Sequence, residues 1–185
     1  LLRVFKPTWK QGSEKLYVES LWAGWRSDYI AGRTDKAPKN GCLFCSLALL
    51  DDQEALILDR TEFTFTIMNA FPYSSGHVMV LPKRHESELT DLTTEEASEI
   101  MVAAQRAARV LEATYFPEGL NIGINVGSAG GAGLPEHLHT HVVPRWRSDT
   151  NFMASVAQVR VLPETLNESW SRLRDGYAAL SASGA

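Results

Sequence analysis

His137-Leu138-His139-Thr140-His141-Val142-Val143-Pro144 is the stretch on which the reading of this chain turns. Three of the chain's five histidines stand here at i, i+2 and i+4. Side chains of a β-strand alternate between faces, so a strand would project all three imidazoles from one side. Leu138, Thr140 and Val142 would then point the other way, giving a ridge of imidazoles on a mostly apolar backing. Such a ridge admits three readings. It could be a catalytic metal site built on neutral imidazoles, a nucleophilic imidazole attacking phosphorus, or a solvated face without a role. Mutual repulsion of charged imidazoles weighs against the last. The nearest carboxylate, Glu136, would face away from the ridge, which weighs against the metal.

The residues just upstream favour an anionic substrate. Gly127-Ser128-Ala129-Gly130-Gly131-Ala132-Gly133 allows close backbone approach and outward-facing amides, a concavity suited to phosphate. A glycine run alone is more often a plain turn, but this one leads directly into three imidazoles. Asn125 stands close enough in sequence to add an amide contact to a phosphate or sugar.

Composition sets the bounds. The chain has 185 residues, 44% of them apolar and 22% charged, enough for one domain with a real core. A net charge of −4 argues against a nucleic-acid partner, whose affinity needs a basic surface. No apolar run approaches a membrane span, and Leu1 to Ser20 lacks the apolar core of a secretory signal. The only two cysteines, Cys42 and Cys45, make no disulfide framework, so the expected compartment is the cytoplasm.

Along the chain, residues 1–40 read as an N-terminal arm. Leu21, Trp22, Trp25 and Tyr29 recur at helical spacing there, for core packing, an oligomer contact or ligand stacking. The polar stretch Ala31 to Gly41 separates this arm from the rest. From Leu43 onward the pattern favours strands. Phe63, Phe65 and Ile67 alternate with threonines, and His77 to Leu81 follows the turn Pro72 to Gly76. Thr93 and Glu96 form a capping box for a long helix with Ala97, Ile100, Met101, Ala104, Ala108, Leu111 and Tyr115 on its apolar face. Glu95, Glu96 and Glu99 read as its solvated side. Leu120, Ile122, Ile124 and Val126 alternate toward the glycine loop, and a last helix is expected from Pro163 to Leu180. Strands grouped around one central helix indicate α+β with an antiparallel sheet.

The histidine stretch resembles the signature of the histidine triad (HIT) family: His, apolar, His, apolar, His, apolar, apolar, with Thr140 as the soft match. Asn69 to Val78, with Asn69 eight residues before His77, is similar to the family's nucleotide-contacting Asn and Gly-His strand. Cys42-Leu43-Phe44-Cys45 resembles the opening of many bacterial members. The likeness runs from Gly41 to Phe152. It implies a HIT fold, a five-stranded antiparallel sheet with one long central helix and a C-terminal helix, with residues 41–185 as a HIT domain plus extension.

It also implies nucleotidyl chemistry. His139 becomes the nucleophile that attacks the α-phosphorus, His141 a donor to the phosphoryl oxygens, and His77 a supporting neighbour. Asn69 would hold the ribose, Asn125 and Gly127 would lie near the phosphates, and Trp146 would either pack or touch substrate, with Arg145 guiding polyphosphate. His85 matches the histidine that accompanies such cysteines in zinc-bearing members. Cys42, Cys45, His85 and His137 would then hold a structural Zn2+, with no organic cofactor and with a homodimer as the assembly.

One departure bears on the reaction. Hydrolases and phosphoramidases of the family carry Gln four residues before the first His, where this chain has Gly133. Leu21-Trp22, Arg26 to Ile30, the run from Glu136-His137 to Arg145-Trp146 and the tail Asp149 to Phe152 resemble instead the branch containing bacterial diadenosine tetraphosphate phosphorylases. There inorganic phosphate would resolve the intermediate to ADP and ATP, and the space left at Gly133 could admit that second anion. The alternatives are a hydrolase or phosphoramidase, a zinc-containing nucleotide sensor with little turnover, and a metal-dependent hydrolase using the triad itself.

Overall fold

The computed structural model describes residues 41–147, 149 and 162–183. The N-terminal arm and the stretch from Thr150 to Phe152 lie outside the described residues.

From Leu43 the described residues form helices where strands were expected. Leu43, Phe44 and Leu47 stand three and four residues apart, a spacing that gives a helix one apolar side. They form α1 (Leu43–Ala48), which buries Phe44 and Leu47. Asp51 then accepts a hydrogen bond from the Gln53 N–H and starts the single turn α2 (Asp52–Ala55). Five strands follow: β1 (Ile57–Arg60), β2 (Thr64–Met68), β3 (Val78–Pro82), β4 (Gly119–Ile124) and β5 (Thr140–Arg145). They form one antiparallel sheet in the order β1-β2-β3-β5-β4, as expected of an α+β HIT fold.

Every residue of β2 and β3 is buried, so both sheet faces are covered there. On one face α3 (Thr94–Tyr115) and α4 (Leu166–Ala182) pack over Leu58, Val78, Val80 and Val142. On the other, Phe44 and Leu47 of α1 cover Phe65, Ile67, Met79 and Leu81. Burying each such side chain contributes about 1.5–3 kcal/mol before the cost of ordering it. The helices approach closely at Gly176, where an added Cβ would sit 2.8 Å from Val110 and Thr114 side-chain atoms.

The long helix is capped as its sequence implied, by a Thr93–Glu96 capping box. Its buried face is turned from the expected one: Ala103, Ala107 and Val110 join Ile100, Ala104 and Leu111 inside, whereas Met101 is 63% exposed and Ala97 is also outside. The glutamates need correction too. Glu95 is exposed, but Glu96 is buried and bound to Arg84 through both carboxylate oxygens at 2.8 Å. Glu99 Oε1 accepts the Phe63 and Thr64 N–H groups at 2.7 and 2.9 Å and the Thr61 hydroxyl. Backbone donors left over at a turn before β2 supply the reason for an inward carboxylate.

Strand register carries the histidines to the α1 side of the sheet. Ile67 pairs with Met79, and Met79 pairs with His141, so one cross-strand row runs from the apolar floor to an imidazole. The ladder stops short of the other two histidines, because β5 begins at Thr140. Proline 82 at the end of β3 has no N–H to continue the pairing. Instead its carbonyl accepts from His137 Nε2 at 3.0 Å, and Leu138 N–H donates to the Glu86 carbonyl at 2.6 Å. Among the described residues, no helix is long and apolar enough to cross a membrane.

Candidate active site

The five histidines separate into two groups according to what lies on the far side of each ring. His77 is fully buried in the approach to β3. Its Nδ1 faces the Tyr73 backbone N–H at 3.1 Å and Asn69 Nδ2 at 3.3 Å. A backbone N–H can only donate, so Nδ1 is the acceptor and the His77 proton sits on Nε2. That Nε2 lies 3.0 Å from His141 Nδ1 and donates to it. The His141 proton is thereby placed on its own Nε2.

His139 is set oppositely. Its Nδ1 donates to the His137 carbonyl at 2.8 Å, which leaves Nε2 with a free lone pair. The rings of His139 and His141 are 5.0 Å apart, nearly perpendicular. A nucleophilic nitrogen and a neutral N–H donor therefore stand side by side. Burial first, and the neighbouring His139 second, push the His141 imidazole down to about 4, so it remains an uncharged donor at neutral pH.

Both rings open into a cleft of about 400 Å³. Leu43, Phe44, Leu47, Ile67, Met79 and Leu134 give it an apolar body, and Asn69, Tyr73, His139 and His141 concentrate polar groups within it. Gly133 lines the same cleft, and an added Cβ there would meet no atom within 4 Å. The cleft can thus hold a flat apolar group next to an electrophile presented to His139.

The glycine loop is built differently from the open amide cradle expected of it. The N–H groups of Gly130 and Ala132 donate to the Gly127 carbonyl, and that of Gly131 to Ser128. These three amides are spent within the loop. Gly127 and Gly131, with φ of 68° and 93°, make this fold possible, and Asn125 Nδ2 reaches back to the Gly131 carbonyl. Asn125, Gly127 and Trp146 are not among the cleft-lining residues. Arg145 is held away by Asp149 and Asn121.

The first histidine of the stretch belongs to the other group. His137 is 1% exposed, and its Nε2–H donates to Pro82, leaving the Nδ1 lone pair directed at sulfur. Cys42 Sγ lies 3.3 Å and Cys45 Sγ 3.6 Å from that nitrogen, and Cys45 Sγ lies 3.4 Å from His85 Nδ1. All four donor atoms fall within 4.8 Å of one another. A tetrahedral zinc with ordinary Zn–S and Zn–N bonds places its ligand atoms roughly 3.3–3.8 Å apart. The donor set and its spacing fit such an ion. Burial lowers the His137 imidazole, and burial with its Cys42 neighbour raises the Cys45 thiol.

Three contributors escaped the sequence reading. Phe44 of α1 packs against both His137 and His139, with ring centroids 5.6 and 5.4 Å away. Tyr73, read only as turn chemistry, covers His77 and His141 at 4.7 and 5.9 Å. Arg84 binds Glu86 and Glu96, tying the His85 loop to the first turn of α3 and pulling Glu96 down to about 2. The Phe44 position within Cys-x-x-Cys was the one available hint.

The HIT domain family model matches residues 51–148. The chain is 38% identical over 166 residues to an AP-4-A phosphorylase of Mycobacterium tuberculosis, covering 87% of this chain and 85% of that protein. A bis(5'-adenosyl)-triphosphatase of Dictyostelium discoideum is 35% identical over 97 residues, covering 52% of this chain and 64% of that protein. A Zn-bound histidine triad family protein from Mycobacterium smegmatis superposes with a TM-score of 0.64 at 31% identity, over 77% of this chain and 97% of the other.

Proposed function

The chain belongs to the HIT family, and on that premise we propose that it is a nucleotidyltransferase that cleaves dinucleoside polyphosphates, diadenosine tetraphosphate first, by phosphorolysis. The observation that supports this reading is the pair of ring hydrogen bonds, His139 Nδ1 on the His137 carbonyl and His141 Nδ1 on His77, which leave the two Nε2 atoms for the substrate. His139 attacks the α-phosphorus, the bond to the departing ATP oxygen breaks, and a nucleotidyl-histidine forms. His141 donates its Nε2–H to a phosphoryl oxygen as charge builds there, and His77 holds that proton in place. An oxygen of inorganic phosphate then attacks the same phosphorus, the P–N bond breaks, and ADP leaves.

Asn69 is assigned to the ribose and the apolar body of the cleft to the base. The open space at Gly133 supports phosphate as the second nucleophile, with room a longer side chain would take. Water in that space gives the rival hydrolase, whose products would include AMP.

Cys42, Cys45, His85 and His137 are assigned a structural zinc. Bound there, the ion supplies a rigid link and no open coordination position. A thiolate site of this kind suits the reducing cytoplasm. A homodimer is proposed through the edge strand β4 and the exposed Met101, Val102 and Ile122; sedimentation at micromolar concentration is expected to give twice the chain mass.

The deciding experiment incubates diadenosine tetraphosphate with and without inorganic phosphate. ADP and ATP are expected only when phosphate is present. Equal rates without phosphate, with AMP among the products, would replace the phosphorylase by the hydrolase.

A further inference from the structure

We propose that Cys42 and Cys45 are a reversible oxidation site whose disulfide opens the nucleotide cleft. The proposal rests on the zinc and nucleotide assignments above and adds a control to them. It stands on the position of α1. Leu43, Phe44 and Leu47 of this helix form one wall of the cleft, and Phe44 also touches the rings of His137 and His139. The far end of α1 is fastened to the sheet by Arg60, which donates to the Ala48 and Leu50 carbonyls. The near end begins at the Cys–His cluster: Cys42 immediately precedes the helix and Cys45 lies within its first turn. A metal shared with His85 and His137 therefore clasps the cleft wall to the segment carrying the nucleophile.

The same two sulfurs suit oxidation. Cys-x-x-Cys at a helix start is the spacing of dithiol–disulfide pairs. Both cysteines are partly accessible, and His85 beside them is exposed. The oxidant proposed is a peroxide. One thiolate sulfur attacks a peroxide oxygen, the O–O bond breaks, and the departing hydroxide takes a proton to become water. The second thiolate attacks the resulting sulfenic sulfur and displaces another hydroxide, which is likewise protonated. Two electrons pass from the cysteines to the peroxide, and the zinc leaves because a disulfide is no longer a thiolate ligand. The clasp is then open at one end, while the fold beneath α3 is untouched.

The test uses the zinc-loaded, full-length protein and hydrogen peroxide. Expected are one zinc released per chain, loss of both free thiols to an intrachain disulfide by mass spectrometry, and about tenfold weaker binding of AMP by calorimetry. Hydrogen–deuterium exchange should rise over residues 42–48 and stay unchanged over residues 94–115. Reductant with added zinc should restore every reading. Unchanged exchange over residues 42–48 after zinc loss would overturn the clasp. So would faster exchange across α3, which would mean general unfolding, or irreversible sulfinic acid in place of the disulfide. Untreated protein that fails to bind AMP would instead sink the nucleotide assignment, and the exchange pattern would still judge the clasp. Protein found without zinc, or zinc retained after disulfide formation, would overturn the proposal.

Discussion

The two ends of one five-residue segment set the same side chain in different surroundings. At His137 the backbone carbonyl of Pro82 takes the Nε2 proton, and the remaining lone pair converges with two thiols and His85. At His141 the lone pair of Nδ1 is engaged by His77, and the remaining proton faces the cleft. His139 between them donates from Nδ1 to the His137 carbonyl, which leaves the Nε2 lone pair unused by that bond. An imidazole has one proton and one lone pair to place when neutral, so whichever group captures the first decides the use of the second.

This contrast can be broken first at His139. His139→Asn is expected to lower turnover of diadenosine tetraphosphate by about 10³-fold or more, since the proposed mechanism draws its nucleophile from that ring alone. Its zinc content should remain at one per chain; if zinc is lost too, the two ends are not separate. Next in size is His141→Asn, expected to cost about 10²–10⁴-fold in turnover through loss of the oriented donor, with AMP affinity changed little. Steady-state kinetics with parallel calorimetry checks both.

Cys42→Ser addresses the other end. It should reduce zinc affinity and lower stability by about 2–4 kcal/mol, measured by metal analysis and urea unfolding. The pattern is the converse of that expected for His139→Asn: zinc and stability fall while the His139–His137 hydrogen bond remains. A comparable loss of stability in His139→Asn would erase the distinction.

Acid sharpens the comparison with a smaller effect. The folded His141 titrates near 4, below the ordinary histidine value near 6.5. Between these values the unfolded chain binds more protons than the folded one, so stability rises with pH across the window and is lost as pH falls through it. Allowing for the ring's partial exposure, the loss attributable to His141 is on the order of 2 kcal/mol. His141→Asn should flatten this part of the urea-unfolding pH profile; an unchanged slope would show that the proton is not excluded there.

Much of the site was legible because period-two spacing is a covalent fact. The i, i+2, i+4 pattern pointed to shared chemistry, and the Thr93–Glu96 box announced its helix. What misled was local pattern without partners. Glu96 and Glu99 looked solvated until Arg84 and the turn before β2 supplied inward partners. The glycine run suggested a row of waiting amides, yet three of them close on the loop itself. α1 was missed because so short an apolar run carries too few turns to display a period.

The sequence by itself determined that three imidazoles would lie close together, two thiols one turn apart, and an apolar strand behind them. Neighbours in the chain cannot avoid one another. Only the tertiary structure decided which nitrogen of each imidazole is engaged and which is left facing the cleft or the thiols. Those choices depend on Pro82, Tyr73, His77, Cys42 and Cys45, groups brought in from 55 to 95 residues away. Their dipoles and lone pairs place each proton, and a proton's place is not written in spacing.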